Sequence, residues 1–301
     1  IMDMEAYELS LRARLDPPAN MLEALTARAR NEQRSVVFAE GQDERVLRAA
    51  VSYARAGLGE AIVVGRQAEI AAMLKDGGMA DAINDITVMN SSLTEHLDEY
   101  TDMVYAKLQR RGFLRRDCYR RVARDRHIFS AAMLAAGHAD AMVTGVTRKS
   151  AVVLDDIGRV FDTRQGQKVV GVSAVLTQGR TVLVADTMVH EMPTGSELAD
   201  ISEQAAGVAR RLGLEPRVAL LSYSTFGYPT AERSDNLREA TLLVEERGVD
   251  FEFDGEMAAD VALDPNAMAA LLNTPSLTPA TVSAFPPLFP ICRRRHCCAR
   301  A

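Results

Sequence analysis

The chain of 301 residues is 48% hydrophobic and 25% charged, with a net charge of −6. That composition suits one large or two medium globular domains and argues against a general nucleic-acid or membrane-surface binder. No apolar stretch is long enough to span a bilayer, and only Cys118 of the four cysteines lies in the body of the chain, so a reduced, cytoplasmic setting without a disulfide framework is expected.

An amino-terminal helical linker covers residues 1–30. Short β-type runs then alternate with helical patterns: SVVFAE before residues 43–56, EAIVVG before 67–75, and ITVM before 93–109. Alternation of this kind predicts a parallel sheet with helices on both faces. Residues 115–136 read as two helices that feed a strand over 140–145, and RKSAVVLDDIGRVF is helical again. The pattern changes at Gln165 and Gly166, which divides a first α/β domain (31–165) from a second (166–276).

In the second domain, two β-rich runs separated by Gln178, Gly179 and Arg180 predict a hairpin. A helix over 196–212 carries Leu198, Ile201, Ala205, Val208 and Leu212 at helical spacing, a stripe that reads equally as a core face or a subunit interface. A strand at Val218–Leu221, a helix over 231–247 and a short strand at Phe251–Phe253 follow, the last closed by a turn at Asp254, Gly255 and Glu256. From 277 to 301 the chain is aperiodic, Pro-rich and then Arg- and Cys-rich. No regular element is expected there, the second domain reads as incomplete, and a shifted reading frame would account for the break.

Chemistry concentrates where strands end. The apolar run at Val218–Leu221 empties into Ser222, Ser224, Thr225 and Gly227 just before a helix, whose unpaired N–H groups and positive dipole end suit an anion. A hydroxyl-rich capping turn is the plainer alternative. Thr147, Arg148 and Lys149 lie beyond the 140–145 strand, where they are placed either to hold phosphates or simply to start a helix in solvent. Asp254 and Glu256 either poise a thiol or cation or cap a turn.

The basic run Arg110, Arg111, Arg115, Arg116, Arg120, Arg121, Arg124 and Arg126 is interleaved with Asp117 and Asp125. It reads as a solvated or subunit-facing helix with a phosphate contact as the alternative, and not as a nucleic-acid surface. His96, His127, His138 and His190 show no ligand spacing, and His296 with Cys297 and Cys298 does not make a tetrahedral cage, so no metal is assigned.

FAEGQDERVLRAA, AIVVG, GHADAMVTGVT, VADTMVHEMPTGSELADISEQAAGVARRLG and LSYSTFG with DGEMAADVALDP, in that order over residues 31–273, resemble successive blocks of the phosphate acetyltransferase/butyryltransferase family. The resemblance implies two βα-type domains with largely parallel sheets and a cleft between them, as in isocitrate and isopropylmalate dehydrogenases. DMEAYELSLRARLDP and the arginine-rich stretch through GHADAMVTGVTR are similar to one branch, the carboxy-terminal module of NADP-dependent malic enzymes.

In that branch the module is regarded as a sensor of acetyl-CoA without turnover, with NADP and a divalent metal confined to a preceding malic module. The chain itself would then carry no cofactor, take coenzyme A or acetyl-CoA as ligand, and form a homo-oligomer. Phe226 stands where the family often has Lys, and the family's late Ser-Arg pair and Asp are not found, both against transfer chemistry. An active phosphate acyltransferase and a non-binding dimerisation module remain the competing readings.

Overall fold

The computed structural model describes residues 17–177, 180–223, 225, 232–264, 266–267 and 282–284. Two compact units divide the chain at Asp162 and Thr163. No helix among the described residues is long and apolar enough to cross a membrane.

After helix α1 (Pro17–Glu32), the unit ending at Asp162 is built on a four-stranded sheet. Its strands are β1 (Val36–Phe38), β2 (Ala61–Val64), β3 (Thr87–Met89) and β4 (Ala141–Val143), all parallel, in the order β3-β2-β1-β4. β1 and β2 read VVF and AIVV and are buried at every position, as strands covered on both faces must be.

Their alternate side chains enter two different cores. Val36, Phe38, Ala61 and Val63 pack with Leu47 and Val51 of α2 (Glu44–Arg55) and Ile70 and Leu74 of α3 (Gln67–Asp76). Val37, Ile62 and Val64 instead meet Tyr100 and Val104 of α4 (Leu97–Leu108), Cys118 and Val122 of α5 (Arg115–Arg124), and Phe129 of α6 (Arg126–Ala135). Each fully buried aliphatic side chain of this kind contributes about 1.5–3 kcal/mol by leaving water. Helix α4 starts later than its sequence pattern suggests, because Asn90 accepts the Ser92 N–H and turns the chain first. Helix α7 (Ser150–Gly158) follows β4.

The second unit holds a five-stranded sheet in the order β5-β6-β9-β7-β8. β5 (Val172–Thr177) and β6 (Arg180–Ala185) form the expected antiparallel pair, with Val172 opposite Ala185 and Thr177 opposite Arg180. β7 (Arg217–Leu221), β8 (Glu252–Met257) and β9 (Val282–Ala284) are parallel to one another, and β9 is parallel to β6.

Helix α8 (Gly195–Arg211) begins with a capping box, in which Thr194 accepts the Glu197 N–H and Glu197 accepts the Thr194 N–H. Its apolar stripe is core rather than a subunit interface. Ile201 and Ala205 are buried with Leu183, Ala185 and Val218, Leu198 packs with Leu220 and Leu237, and Val208 and Leu212 pad the edge. Helices α9 (Glu232–Glu246) and α10 (Ala259–Leu263) complete the unit.

Two sequence expectations need correction. Asp254, Gly255 and Glu256 are not a turn after a short strand but lie inside β8, which runs on to Met257. Its register against β7 shifts between Leu220 and Leu221, and a side chain at Gly255 would put Cβ 2.7 Å from that of Leu220, so glycine is what lets the strands close. The 277–301 tail is also not devoid of regular structure. Val282–Ala284 forms β9 between β6 and β7, because two parallel strands with unpaired edges leave a gap that even three residues satisfy.

Candidate functional site

In the first unit the carboxyl ends of β2 and β3, the turn after β1 and the loop after β4 face a hollow of about 420 Å³, closed on one side by the α5/α6 junction. Carboxyl-end crevices of this type are where open parallel sheets bind ligands. Arg66 follows β2, Arg148 follows β4, and Arg124 and Arg126 come from the junction. Gln42, Gly65, Asn90, Ser91 and Ser92 supply further polar wall, and among the described residues no carboxylate lines the hollow. Four guanidinium groups suit an anion carrying several charges, although two of them already meet carboxylates outside the lining, Arg66 with Glu69 at 2.7 Å and Arg148 with Asp125 and Asp156.

The loop that delivers Arg148 is held from below. Glu40, fully buried just after β1, accepts the N–H groups of Gly145, Val146 and Thr147 at 2.9, 2.8 and 2.8 Å and the Thr147 hydroxyl as well. Burial pushes the Glu40 carboxyl up, but the Thr147 hydroxyl and the three N–H donors outweigh it, and the group sits below its ordinary value. The nest of N–H donors after β4 is thus filled by the chain's own carboxylate.

Arg126 donates to the other side of Thr147, Nη2 to Oγ1 at 2.8 Å. His127, buried beneath, lies 2.7 Å from Thr144 Oγ1 through Nδ1, and burial followed by the nearby Arg148 charge lowers its pKa.

Arg148 donates through Nη1 to Asp125 at 2.7 Å and Asp156 at 2.8 Å. Asp125 also caps α6 by accepting the His127 N–H. Burial raises the Asp125 carboxyl, but the Arg148 hydrogen bond and charge bring it below the ordinary range. Since both acids use a single nitrogen, the rest of the Arg148 fork is not taken up by them.

The sequence-predicted residues fall into two groups in different units. Thr147 and Arg148 belong to the hollow's floor and wall, Thr147 as a brace rather than a contact, while Lys149 is exposed at the N-cap of α7 and does not line the hollow.

In the second unit Ser222 is buried at the end of β7, its N–H donating to Met257 O and its hydroxyl 3.4 Å from that of Ser234. Thr225 accepts the Ala258 N–H at 3.1 Å. Glu256 is buried and accepts from Arg238 at 2.8 Å, and Asp254 accepts the Gly255 N–H, its carboxyl raised by burial. Ser224, Phe226 and Gly227 lie outside the described residues. Ser222, Thr225 and Glu256 therefore gather at the carboxyl ends of neighbouring strands, Ser222 and Thr225 tied to the backbone of Met257 and Ala258 and Glu256 to Arg238.

Sequence reasoning passed over Glu40, Gln42, Arg66, Ser91 and Ser92. The signal was present: each stands within four residues of a strand's end, the same logic that singled out Ser222. It also missed Asp186, which after β6 accepts the N–H groups of Gly171 and His190 and the His190 ring at 2.6 Å.

The model of the family described as phosphate acetyl/butaryl transferase matches residues 20–289. The chain is 48% identical over 268 residues to an NADP-dependent malic enzyme of Rhizobium meliloti, covering 89% of this chain and 35% of that protein. It is 27% identical over 277 residues to a phosphate acetyltransferase of Haemophilus influenzae, covering 91% of this chain and 38% of that one. A solved phosphotransacetylase from Streptococcus pyogenes superposes with a TM-score of 0.77 at 28% identity, covering 89% of this chain and 82% of that one. The chain thus spans a little over a third of the length of the curated relatives it matches. With the match running through both sheets and the carboxyl-end hollow, the chain belongs to the phosphate acetyl/butaryl transferase family.

Proposed function

We propose that this chain is an acetyl-CoA-binding module of an NADP-dependent malic enzyme, in which it senses the coenzyme rather than turning it over. The observation that carries the reading is the convergence of Arg66, Arg124, Arg126 and Arg148 on one hollow, with no carboxylate among the described residues that line it. Coenzyme A presents a pyrophosphate and a 3′-phosphate, and a pocket of planar guanidinium groups at the carboxyl edge of a parallel sheet matches that charge, each fork able to bond two phosphate oxygens. The relatives named as malic enzymes support the setting, since this chain aligns with only part of each.

The chemistry of acyl transfer needs positive charge on the developing oxyanion, and Phe226 at the Ser222 turn supplies none. A second reading, an active phosphate acyltransferase, draws on buried Glu256 of β8, the strand beside the one that ends at Ser222, where it pairs with Arg238 of α9.

Calorimetric titration of acetyl-CoA into the full chain tests the first reading. A micromolar dissociation constant, about −8 kcal/mol, is expected. Replacing Arg66 and Arg126 together by Ala should weaken binding at least tenfold, since charge-assisted hydrogen bonds contribute about 1.5–3 kcal/mol each. Affinity unchanged in that variant would remove the site. Acetyl phosphate formation from acetyl-CoA and phosphate should stay at background, and robust turnover would put the acyltransferase reading in its place.

A further inference from the structure

On the other edge of the first sheet, where β1 and β4 begin, the fold brings together three side chains that the sequence keeps 42 positions apart at its widest. His138 precedes β4, two residues before Asp140, whose N–H binds Ser35 O at the start of β1. His96 is the N-cap residue of α4, and Glu99 lies in that helix's first turn. One donor atom from each of His96, Glu99 and His138 falls within a sphere of mutual separations under 4.8 Å. We propose that His96, Glu99 and His138 form a binding site for a divalent first-row cation, with zinc the best match to two imidazoles and a carboxylate.

The geometry is close to that of a coordinated ion. His96 Nδ1 stands 3.1 Å from Glu99 Oε2. Two ligands on a tetrahedral zinc with bonds of about 2.0–2.1 Å lie roughly 3.3 Å apart, so the pair needs almost no movement to share a cation. Residues three apart on a helix share a face, which fixes that pair from one element. The second imidazole is already turned: His138 Nδ1 is 2.7 Å from the hydroxyl of buried Tyr100.

The phenol oxygen of Tyr100 is placed to accept the Nδ1 proton of His138, which leaves Nε2 for a cation. A histidine that ligates through Nε2 characteristically gives its other N–H to such a partner, which sets its tautomer and orientation. The two imidazole rings lie 4.4 Å apart between centroids, and Glu95 places a further carboxylate oxygen 3.9 Å from His96 Nε2. Three protein ligands leave one position for water.

None of the three residues lines the arginine hollow. A cation here would pin the start of α4 to the loop before β4 and so brace one end of the core that holds Tyr100 and Phe129. The site is separate from acyl-CoA binding and stands or falls without it. Spacing along the chain could not reveal it, because His138 arrives through the β4 crossover and not through a local motif.

The test is zinc titration by calorimetry into the metal-stripped full-length chain carrying Cys292→Ser, Cys297→Ser and Cys298→Ser, so that thiolates do not compete. One equivalent should bind and raise the thermal midpoint, and cobalt in its place should give the visible spectrum of a four-coordinate nitrogen and oxygen site. His96→Gln and Glu99→Gln, both at least partly exposed, should each weaken binding at least tenfold while far-UV circular dichroism stays unchanged. Tyr100→Phe should cost about 10- to 100-fold in affinity, as loss of an outer-shell partner does. No stoichiometric binding, or binding that survives His96→Gln and Glu99→Gln undiminished, would mean the cluster is only a stack of rings and hydrogen bonds.

Discussion

The Thr147 backbone N–H and hydroxyl both close on one carboxylate, that of Glu40, which reaches from the end of β1 to the loop after β4. This contact sets the height at which the next residue, Arg148, meets the hollow, and it makes the loop's shape depend on a charge that water does not touch.

Glu40→Gln tests that dependence, because it keeps the shape but turns one acceptor oxygen into a donor facing N–H groups. The expected loss is about 1–3 kcal/mol of unfolding free energy at neutral pH. The folded pKa of Glu40 lies below its ordinary 4.5, so its contribution is present above that value and lost as pH falls through the folded pKa. Urea unfolding of parent and variant from pH 7 to pH 3 should show the gap closing on the acid side, and a gap independent of pH would contradict the assignment.

Asp254 has the opposite sign. Burial raises its carboxyl above the ordinary 3.8, so its contribution is full below that value and lost as pH rises through the folded pKa. Asp254→Asn keeps an oxygen for the Gly255 N–H. The variant should be as stable as the parent or more so at pH 7, with the difference vanishing below about pH 3.8, read from thermal midpoints across pH. A clear loss at neutral pH would show that the charged form is needed where it stands.

Asp156→Asn removes one counter-charge from Arg148. Asp156 is 6% exposed against 33% for Arg148, so the pair is partly screened and worth about 0.2–1 kcal/mol rather than the several of a sealed pair. Acetyl-CoA affinity should rise by about 1.5- to 5-fold as more of the guanidinium charge is offered to the ligand. Calorimetry that found weaker binding would mean Arg148 is positioned by Asp156 and not restrained by it.

Thr194→Ala opens the capping box of α8 and should cost about 0.5–2 kcal/mol in denaturant unfolding. Thr194→Ser keeps the accepting hydroxyl and should recover most of the loss. Equal costs for both would point to the lost methyl and not the cap.

The fold was legible wherever local pattern and burial agree. VVF and AIVV are apolar throughout because both faces are covered. The hairpin between β5 and β6 was readable from its spacing alone. Asp254 and Glu256 misled because polar residues around a glycine look like a turn, whereas here the strand continues and Arg238 and the Gly255 N–H satisfy the carboxylates.

The candidate site was only half visible. Arg148 was reached from its strand, but Glu40 reads as one more acid near a helix start, since nothing local says that its donors lie 105 to 107 residues away. Arg124 and Arg126 were submerged in a run whose other members do unrelated work, such as Arg115 pairing with Asp98 and Asp102.

The place of β9 has a consequence for how the second sheet comes into being. β6 and β7 end by residues 185 and 221, and while β5 and β8 cover their outer edges, among the described residues their facing edges meet only through the three residues 282–284. During synthesis both must therefore wait on the ribosome with open edges for some sixty residues after β7, exposed to each other's wrong register and to neighbouring chains. Closure is a single late event that joins distant segments, so it is slow for its size and is the step at which a chaperone would matter most.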